Sequence, residues 1–269
     1  MKDKKIKSKI PQSTWVADIS ITALKEFPLV SSGCDIVQST LACVKKQNVL
    51  VESGDILVFT QKIVSKAEGR EVNLKDIAPS EKAKKLSIET GKDARLVELI
   101  LSESKEIVRK STDLIIAEHR LGIILANAGI DHSNIRPDEN GEWVLLLPID
   151  PDATSKNYRQ RIYDLTNKKV GIIISDSVGR AWRNGTIGLA IGVAGLPAVE
   201  DHRGKLDLFG VPLVSSQEAI ADELASAASL VQGQADEGCP VALIRGFKIL
   251  SQESPAQTLV RRKEFDLFR

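Results

Sequence analysis

The sequence predicts a mixed α/β fold. Stretches whose apolar residues recur at helical spacing are interspersed with short apolar runs typical of strands, without a regular strand–helix–strand rhythm. No internal repeat and no low-complexity linker divides the 269 residues, which are enough for one large domain or two small ones. We therefore expect a basic flexible tail over residues 1–12, followed over residues 13–269 by a single unit of one or two intertwined subdomains.

The individual elements are predicted from local patterns. Ser80 is expected to cap a helix, and Gly91 to split the helical stretch that follows into two. The apolar run over 170–177 is typical of a strand buried on both faces. In chain order we expect one or two short strands within 13–32, a helix over 34–49, a strand leading into a loop over 56–66, two helices within 79–110, two strands over 114–131 with a turn at Leu121–Gly122, a strand, an Asp-rich turn and a helix over 142–169, the strand over 170–177, a helix over 216–238 and a strand over 239–247.

Composition excludes several classes of function. The net charge of +1 and the 4% aromatic content argue against a nucleic-acid surface. No apolar run approaches the roughly 20 residues that span a bilayer, and no such run follows the basic start as it would in a secretory signal. The three cysteines are widely spaced and contain no CxxC pair, which favours reduced thiols in a cytoplasm. We expect a cytoplasmic protein that binds neither nucleic acid nor membrane.

Familiar catalytic motifs are absent from the sequence. It contains no GxxxxGK[ST] phosphate loop, no GxGxxG after the first strand, no HExxH and no GxSxG. Three histidines give little material for a His-rich metal site or a histidine-based triad. The remaining candidates for catalytic or ligand-binding residues are the carboxylates and basic residues at strand ends.

Two predicted strands end in similar polar clusters, within "GIILANAGIDHSN" and "GIIISDSVGRAWR". Hard divalent cations take oxygen ligands, commonly one or two carboxylates together with substrate phosphates. Arginines nearby offer planar donors for phosphate or carboxylate oxygens. The alternative is that Asp176 only caps a turn and that the arginines are surface charges. The side chains concerned are Asn127, Asp131, Ser133 and Asn134 in the first cluster, and Asp176, Ser177, Arg180 and Arg183 in the second.

Other charged segments give weaker signals. The basic residues of "TQKIVSKAEGR" either form a solvated helical stripe or face a polyanion. We favour helix capping for the carboxylates of "LPIDPDATS", whereas those of "EDHRGKLDLFG" suit a structural turn or a substrate clamp equally well. The glycine in "VQGQADEG" is expected to end a helix. These residues are Lys62, Lys66 and Arg70; Asp150 and Asp152; Asp201, His202, Arg203 and Asp207; and Gly233, Gln234 and Glu237.

These segments, in order, resemble the coenzyme F420-0:L-glutamate ligase (CofE) family. The similarity is carried by "GDILVFTQKIVSKAEGR", "ANAGIDHSN", "LPIDPDATS", "ISDSVGRAWRNGTIGLAIGVAGL", "DHRGKLDLFG" and "ADELASAASLVQGQADEGCPVALIRG", and it runs from about residue 20 to about residue 247. The resemblance implies an unusual fold of intertwined mixed sheets with flanking helices, which forms a homodimer. It also implies a GTP-dependent amide ligase that adds L-glutamate, and then further γ-linked glutamates, to a deazaflavin coenzyme precursor.

The resemblance further implies a site. GTP is the co-substrate, Mn²⁺ or Mg²⁺ occupies two sites, and K⁺ is a further candidate cofactor. The implied metal ligands are Asp131, Asp176 and Ser177, with Gln234 at the second metal, where other members carry a glutamate; a neutral glutamine is a weaker ligand for a hard cation. The positions matching GTP contacts are Phe27, Pro28, Leu29 and Val30, then Gln61, Lys62, Lys66 and Asn134, and Gly233 in the 232–239 turn.

Roles in catalysis follow from the chemistry of amide formation. We expect Arg180 and Arg183 to clamp phosphate or a substrate carboxylate, and Asp201 and Asp207 are candidate bases for the incoming amine. Two alternatives stay open. One is a sister GTP-dependent ligase acting on another carboxylate acceptor, and the other is a non-catalytic nucleotide-binding relative.

Overall fold

A computed structural model describes residues 18–135, 141–249 and 251–267, so the predicted tail over 1–12 lies outside the described residues. The mixed α/β class is confirmed. The helices are α1 (Ile36–Lys46), α2 (Gln61–Ala67), α3 (Glu81–Thr90), α4 (Ala94–Ser102), α5 (Pro151–Thr166) and α6 (Ile220–Gln232). The strands are β1 (Ser20–Ala23), β2 (Ile56–Thr60), β3 (Glu71–Asn73), β4 (Ser104–Ser111), β5 (Leu114–His119), β6 (Ile124–Ala126), β7 (Trp143–Leu145), β8 (Gly171–Arg180), β9 (Arg183–Ala194), β10 (Glu200–Asp201), β11 (Gln217–Glu218) and β12 (Val241–Arg245).

A five-stranded sheet in the order β1-β12-β2-β8-β9 forms the centre of the main lobe. Its strands are antiparallel except for the pair β2 and β8, which run parallel. Helices α1, α2 and α5 cover one face of this sheet, and α6 covers the other. Because both faces are covered, Ile56–Phe59 of β2 and the first half of β8 are buried. The strand predicted as buried over 170–177 is therefore confirmed up to Ser175, whereas Asp176 is half-buried and Ser177 exposed.

A smaller lobe packs beside this sheet. Helices α3 and α4 bury their apolar faces against the three-stranded sheet β4-β5-β6 and the short pair β3-β7. Both ends of α3 lie where the sequence predicted them. The Ser80 hydroxyl caps the helix by accepting a hydrogen bond from the Ala83 amide at 3.2 Å, and the helix ends at Gly91. In α5, Asp150 caps the helix, as predicted, and Pro151 occupies its first turn. Capping by Asp152 was wrong: its carboxylate accepts hydrogen bonds from the Val193 and Ala256 amides, because the chain packs these segments against the start of α5.

Two further local predictions were wrong. Residues 61–67 form helix α2 directly after β2, instead of continuing the strand into a loop. The second helix of the 79–110 stretch ends at Ser102, and the following residues form β4, whose Lys and Glu side chains had favoured a helix. Pairing with β5 outweighs that local preference.

Strand β9 was missed altogether. Its glycines weaken the strand pattern, so no strand was predicted between the strand over 170–177 and the helix over 216–238. A Cβ added at Gly188 would lie 2.3 Å from the Ala225 carbonyl oxygen of α6, and one at Gly192 would lie 2.3 Å from the Pro151 carbonyl oxygen of α5. These glycines therefore allow two helices to approach opposite faces of one strand.

Within the described ranges, no helix combines the length and apolar character that crossing a membrane requires.

Candidate active site

The candidate site lies where the parallel pair β2 and β8 separates. Thr60, the last residue of β2, is in register with Ser175 of β8, so Gln61 at the start of α2 and Asp176 follow at the same edge. The Gln61 side chain is close enough to the Asp176 carboxylate to lower its pKa slightly. Carboxyl ends of neighbouring parallel strands commonly hold ligands in α/β sheets. The sequence predicted that the strand ends at about Asp176 and Ser177, which was wrong, because β8 continues to Arg180 paired with β9.

Asp131 reaches this edge from the smaller lobe. Its backbone forms an isolated bridge with Leu145, with hydrogen bonds of 3.0 and 2.8 Å. The Lys62 ammonium lies 2.7 Å from the Asp131 carboxylate, and the Ser133 amide and hydroxyl donate to the other carboxylate oxygen at 2.7 and 2.9 Å. Lys62 also donates to the Ser133 hydroxyl. The structure therefore brings Lys62 and Asp131 together from positions far apart in sequence.

A second basic residue of α2 extends the cluster. The Lys66 ammonium donates to the Asn134 carbonyl oxygen at 2.6 Å, and the Asn134 side-chain amide donates to the Ala235 carbonyl oxygen at 3.0 Å. The turn that begins at Gly233 after α6 is thereby tied to the loop that carries Asp131. Gln234 lies in this turn with its side chain exposed.

The two carboxylates of the cluster titrate differently. The pKa of Asp176 is raised to about 7, chiefly by burial. The negative charge of Asp131 also raises this pKa, whereas the hydrogen bond from the Ser177 amide lowers it. Burial would also raise the pKa of Asp131, but Lys62 and Ser133 outweigh it and hold that pKa below its ordinary value. Negative charge at the cluster is therefore only partly neutralised by the protein.

This arrangement fits a hard cation that binds together with a phosphate ligand. Two carboxylates that repel each other are oxygen donors of the type that Mg²⁺ and Mn²⁺ use. The Ser177 amide donates to the Asp176 carboxylate at 2.8 Å, and the role of the Ser177 hydroxyl as a ligand stays a prediction. In the described part of the chain, no three His, Cys, Asp or Glu side chains group closely enough to form an all-protein metal site. Oxygen ligands from a substrate would have to complete the coordination.

Comparisons with known proteins decide the family. The family model described as F420-0:Gamma-glutamyl ligase matches residues 25–246. The coenzyme F420:L-glutamate ligase of Methanothermobacter thermautotrophicus is 42% identical over 253 residues, covering 93% of this chain and 99% of the relative. The chain belongs to the F420-0:γ-glutamyl ligase family.

Two other relatives carry the same name. The coenzyme F420:L-glutamate ligase of Methanocaldococcus jannaschii is 43% identical and covers 91% of this chain and 94% of its own length. That of Methanopyrus kandleri is 45% identical and covers 81% of this chain and 87% of its own length. The cluster around Asp131 and Asp176 lies wholly within the matched region, as does every other predicted site residue.

The predicted arginine clamps of this F420-0:γ-glutamyl ligase family member lie further along the β8–β9 hairpin. Arg180 and Arg183 face each other at its tip, and an Arg180 nitrogen donates to the Gly185 carbonyl oxygen at 2.9 Å. They stand several residues beyond Asp176 on the same strand pair. Their role as clamps stays a prediction.

The two candidate bases lie on an arm formed by residues 200–218. Asp201 pairs with Arg203, and the resulting hydrogen bonds lower the pKa of Asp201 to about 2. Asp207 accepts hydrogen bonds from the Phe209 and Val211 amides at 2.8 Å. The contacts of both carboxylates thus shape turns of the arm, and so low a pKa makes Asp201 a weak proton acceptor.

The segment "FPLV" runs from β1 toward the end of α2. Phe27 and Val30 pack against the main core, whereas Pro28 and Leu29 are exposed. The Gly33 amide then donates to the Ala67 carbonyl oxygen at 3.0 Å. The segment is therefore a neighbour of the helix that carries Lys62 and Lys66, and its contact with nucleotide stays a prediction.

Sequence reasoning missed the cavity beside the cluster. It has a volume of about 1080 Å³, and Asp176 and Ser177 line it together with β5, β6 and the chain around residues 257–261. No motif marked this cavity, because its walls come from segments distant in sequence whose only local signal is the alternation of strand residues.

Proposed function

We propose that this protein is a GTP- and divalent-metal-dependent amide ligase that adds L-glutamate to the deazaflavin precursor F420-0, with release of GDP and phosphate. Family membership supports the F420-0 acceptor and glutamate as substrates. The observation that carries GTP dependence is the cluster in which Lys62 and Lys66 flank Asp131 beside Asp176. Basic side chains next to paired carboxylates suit a polyphosphate bound with a cation.

The chemistry requires activation of a carboxylate. A carboxylate does not condense with an amine at neutral pH, because oxide is a poor leaving group. Transfer of the GTP γ-phosphoryl group to the acceptor carboxylate gives an acyl phosphate, and attack by the glutamate amine then releases phosphate. Such transfer depends mainly on positioning the reactants and on neutralising charge on the phosphates.

The chain's own residues supply the positioning. Lys62 and Lys66 bind phosphate oxygens, and the hydrogen bond between Asn134 and Ala235 holds the loop and the turn that enclose the nucleotide. Asp131, Asp176 and Ser177 would hold a Mg²⁺ or Mn²⁺ ion, which when bound neutralises charge on the phosphates. Gln234 would provide a neutral oxygen at a second ion, and Arg180 and Arg183 orient the acceptor or the glutamate carboxylates.

We further propose a homodimer in the cytoplasm. The arm over residues 200–218 exposes large apolar side chains, with Leu208 and Phe209 each 85% and Val214 86% accessible. An exposed apolar patch of this kind is typical of an interface, and a second copy of the chain is the partner that the family resemblance implies. The cysteines of the described chain are free thiols, in keeping with a reducing compartment.

Mass spectrometry of the product tests the function. The purified protein is incubated with F420-0, labelled L-glutamate, Mn²⁺ and either GTP or ATP. We expect the F420-0 mass to rise by one or more glutamyl units with GTP, with one phosphate released for each unit. Unchanged F420-0 together with glutamylation of another acceptor from a panel would contradict the substrate, and equal product with ATP would contradict the nucleotide.

A further inference from the structure

The cavity of about 1080 Å³ lies between the two lobes of the molecule. One wall is the face of β5 and β6 opposite the small-lobe core, where Ile116 and Ala126 are paired neighbours. The other wall is the β8–β9 hairpin from Asp176 to Arg180. The cavity therefore begins at the carboxylate cluster and extends away from Lys62 and Lys66, which do not line it.

A C-terminal strap, residues 253–263, closes a third side of this cavity. It is anchored to the main lobe, where the Ala198 amide donates to the Ser254 hydroxyl at 2.9 Å and the Ala256 amide donates to the Asp152 carboxylate at 2.9 Å. At its other end the Lys263 ammonium lies 2.7 Å from the Glu106 carboxylate of β4 in the small lobe. The strap thus spans the two lobes.

The strap packs closely against the small lobe between these anchors. A Cβ added at Gly122, in the turn between β5 and β6, would lie 3.2 Å from the Val260 side chain. The strap contributes Leu259, Val260 and Arg261 to the lining of the cavity. It also lies beyond residue 246, where the match to the family model ends. The third wall therefore lies outside the residues that the family model matches.

The lining has two chemical halves. Apolar side chains from β5, β6 and β8, such as Ile116 and Val178, provide a surface for a flat ring system. Arginines stand on three different walls: Arg109 on β4, Arg180 on β8 and Arg261 on the strap. Five carboxylates also line the cavity: Asp150, Asp152, Asp176, Asp222 and Asp266. Asp150, Asp152 and Asp222 accept hydrogen bonds from backbone amides, which offsets part of their charge. A fourth arginine of the lining, Arg120, is paired with Glu103. An apolar surface with guanidinium groups on three walls suits an aromatic ligand with an anionic tail.

We propose that this interlobe cavity is the acceptor pocket, with the deazaflavin ring on the β5–β6 face and its carboxylate tail between Arg180 and Arg261. This inference rests on the proposed function, and it adds the place of the acceptor and the strap as a specificity-determining wall. The acceptor carboxylate then meets the γ-phosphoryl group at Asp176, because the cavity and the nucleotide cluster share that residue. Each added glutamate lengthens the tail by one carboxylate, which strengthens its interaction with the arginines.

Direct binding to a filled pocket tests the site. Ala126 is accessible within the cavity, so Ala126→Trp fills the ring position, whereas Ser111→Trp places the same side chain at an exposed end of β4 outside the cavity. Calorimetric titration with F420-0 should show at least about tenfold weaker binding to the Ala126→Trp variant, equivalent to about 1.4 kcal/mol. GTP binding and the melting temperature should match those of the Ser111→Trp control.

Failures of the pocket and of the function are distinguishable in this experiment. Absence of F420-0 binding to the unmodified protein, or equal binding to both Trp variants, overturns the pocket even if glutamate is ligated. Binding that Ala126→Trp abolishes, in a protein that makes no glutamylated product, supports the pocket and contradicts the proposed function.

The strap has its own matched pair of variants. Arg261 lines the cavity and its neighbour Arg262 does not, and both are exposed. Arg261→Ala should weaken binding of a diglutamylated deazaflavin several-fold more than binding of F420-0, while Arg262→Ala should leave both unchanged. Equal behaviour of the two variants would overturn the role of the strap in recognising the tail.

Discussion

Two charged clusters flank helix α2, and they differ in how their carboxylates are paired. At the start of the helix, Lys62 faces the carboxylates of Asp131 and Asp176. Beyond its end, Arg70 and Arg120 both contact the single carboxylate of Glu103, at 2.8 and 3.2 Å. In the described part of the chain, Lys62 forms an ion pair with Asp131 and no Lys or Arg forms one with Asp176, whereas two arginines share Glu103.

The pKa values record this difference. Asp176 has a pKa of about 7, because burial and the charge of Asp131 disfavour its ionised form. Burial would also raise the pKa of Glu103, but hydrogen bonds from His119 and Arg70 and the charges of the two arginines lower it to about 2. A bound cation would therefore stabilise the negative charge of Asp176, whereas the negative charge of Glu103 is already stabilised by its arginines. The comparison separates a ligand site from a structural ion-pair network.

The network around Glu103 has a structural role that its contacts explain. Arg70 donates to the Leu147 carbonyl oxygen at 2.9 Å, and Arg120 donates to the Pro148 carbonyl oxygen at 2.8 Å. Glu103 thereby joins the end of α4, the region after α2 and the segment that leads into α5. Its side chain is only 12% exposed, so the loss of one partner leaves buried charge unpaired.

The largest expected effect is that of Asp176→Asn. Turnover should fall by about 10²–10³-fold, because a charged oxygen ligand beside the phosphates is lost. Stability should not fall, since the variant removes a carboxylate whose ionised form is disfavoured in the fold. Phosphate release and thermal melting measure the two effects, with Asp164→Asn on the exposed face of α5 as the control. Near-normal turnover with ordinary metal dependence would contradict the metal assignment.

The opposite pattern is expected for Glu103→Gln. The variant should lose on the order of 3 kcal/mol in free energy of unfolding, because Arg70 and Arg120 lose their shared carboxylate. The KM for GTP should change little. Denaturant unfolding measures the loss, and Glu81→Gln, which removes an exposed partner of Lys84, should cost far less. A larger change in KM than in stability would place Glu103 in the site and remove the contrast.

The smallest effect is the pH dependence of that stabilisation. The pKa of Glu103 falls from 4.5 to about 2 on folding, so its contribution is complete above pH 4.5 and is lost as the pH falls through 2. At about pH 3.5, the difference in free energy of unfolding between the unmodified protein and Glu103→Gln should be about 1 kcal/mol smaller than at neutral pH. Burial also lowers the pKa of His119, which disfavours folding in acid in both proteins. A constant difference in unfolding free energy between pH 7 and 3 would show that the Glu103 pKa is not depressed.

Local sequence signals determined much of the fold and the identity of the site residues. The buried runs of β2 and β8, the caps at Ser80 and Asp150 and the end of α3 depend on residues close in the chain, and the structure confirms them. The polar clusters that contain Asp131 and Asp176 were visible for the same reason. The order of the motifs also pointed to the F420-0:γ-glutamyl ligase family, which the family match confirms.

Tertiary structure alone decided the rest, because it depends on contacts between distant residues. Strand β9 forms although its glycines disfavour a strand, since two helices need those positions without side chains. Lys62 pairs with Asp131, and Glu103 pairs with two arginines, across elements that are distant in sequence. No local spacing therefore shows which carboxylates are paired with a cation. The cavity and its strap likewise exist only once the two lobes have packed together.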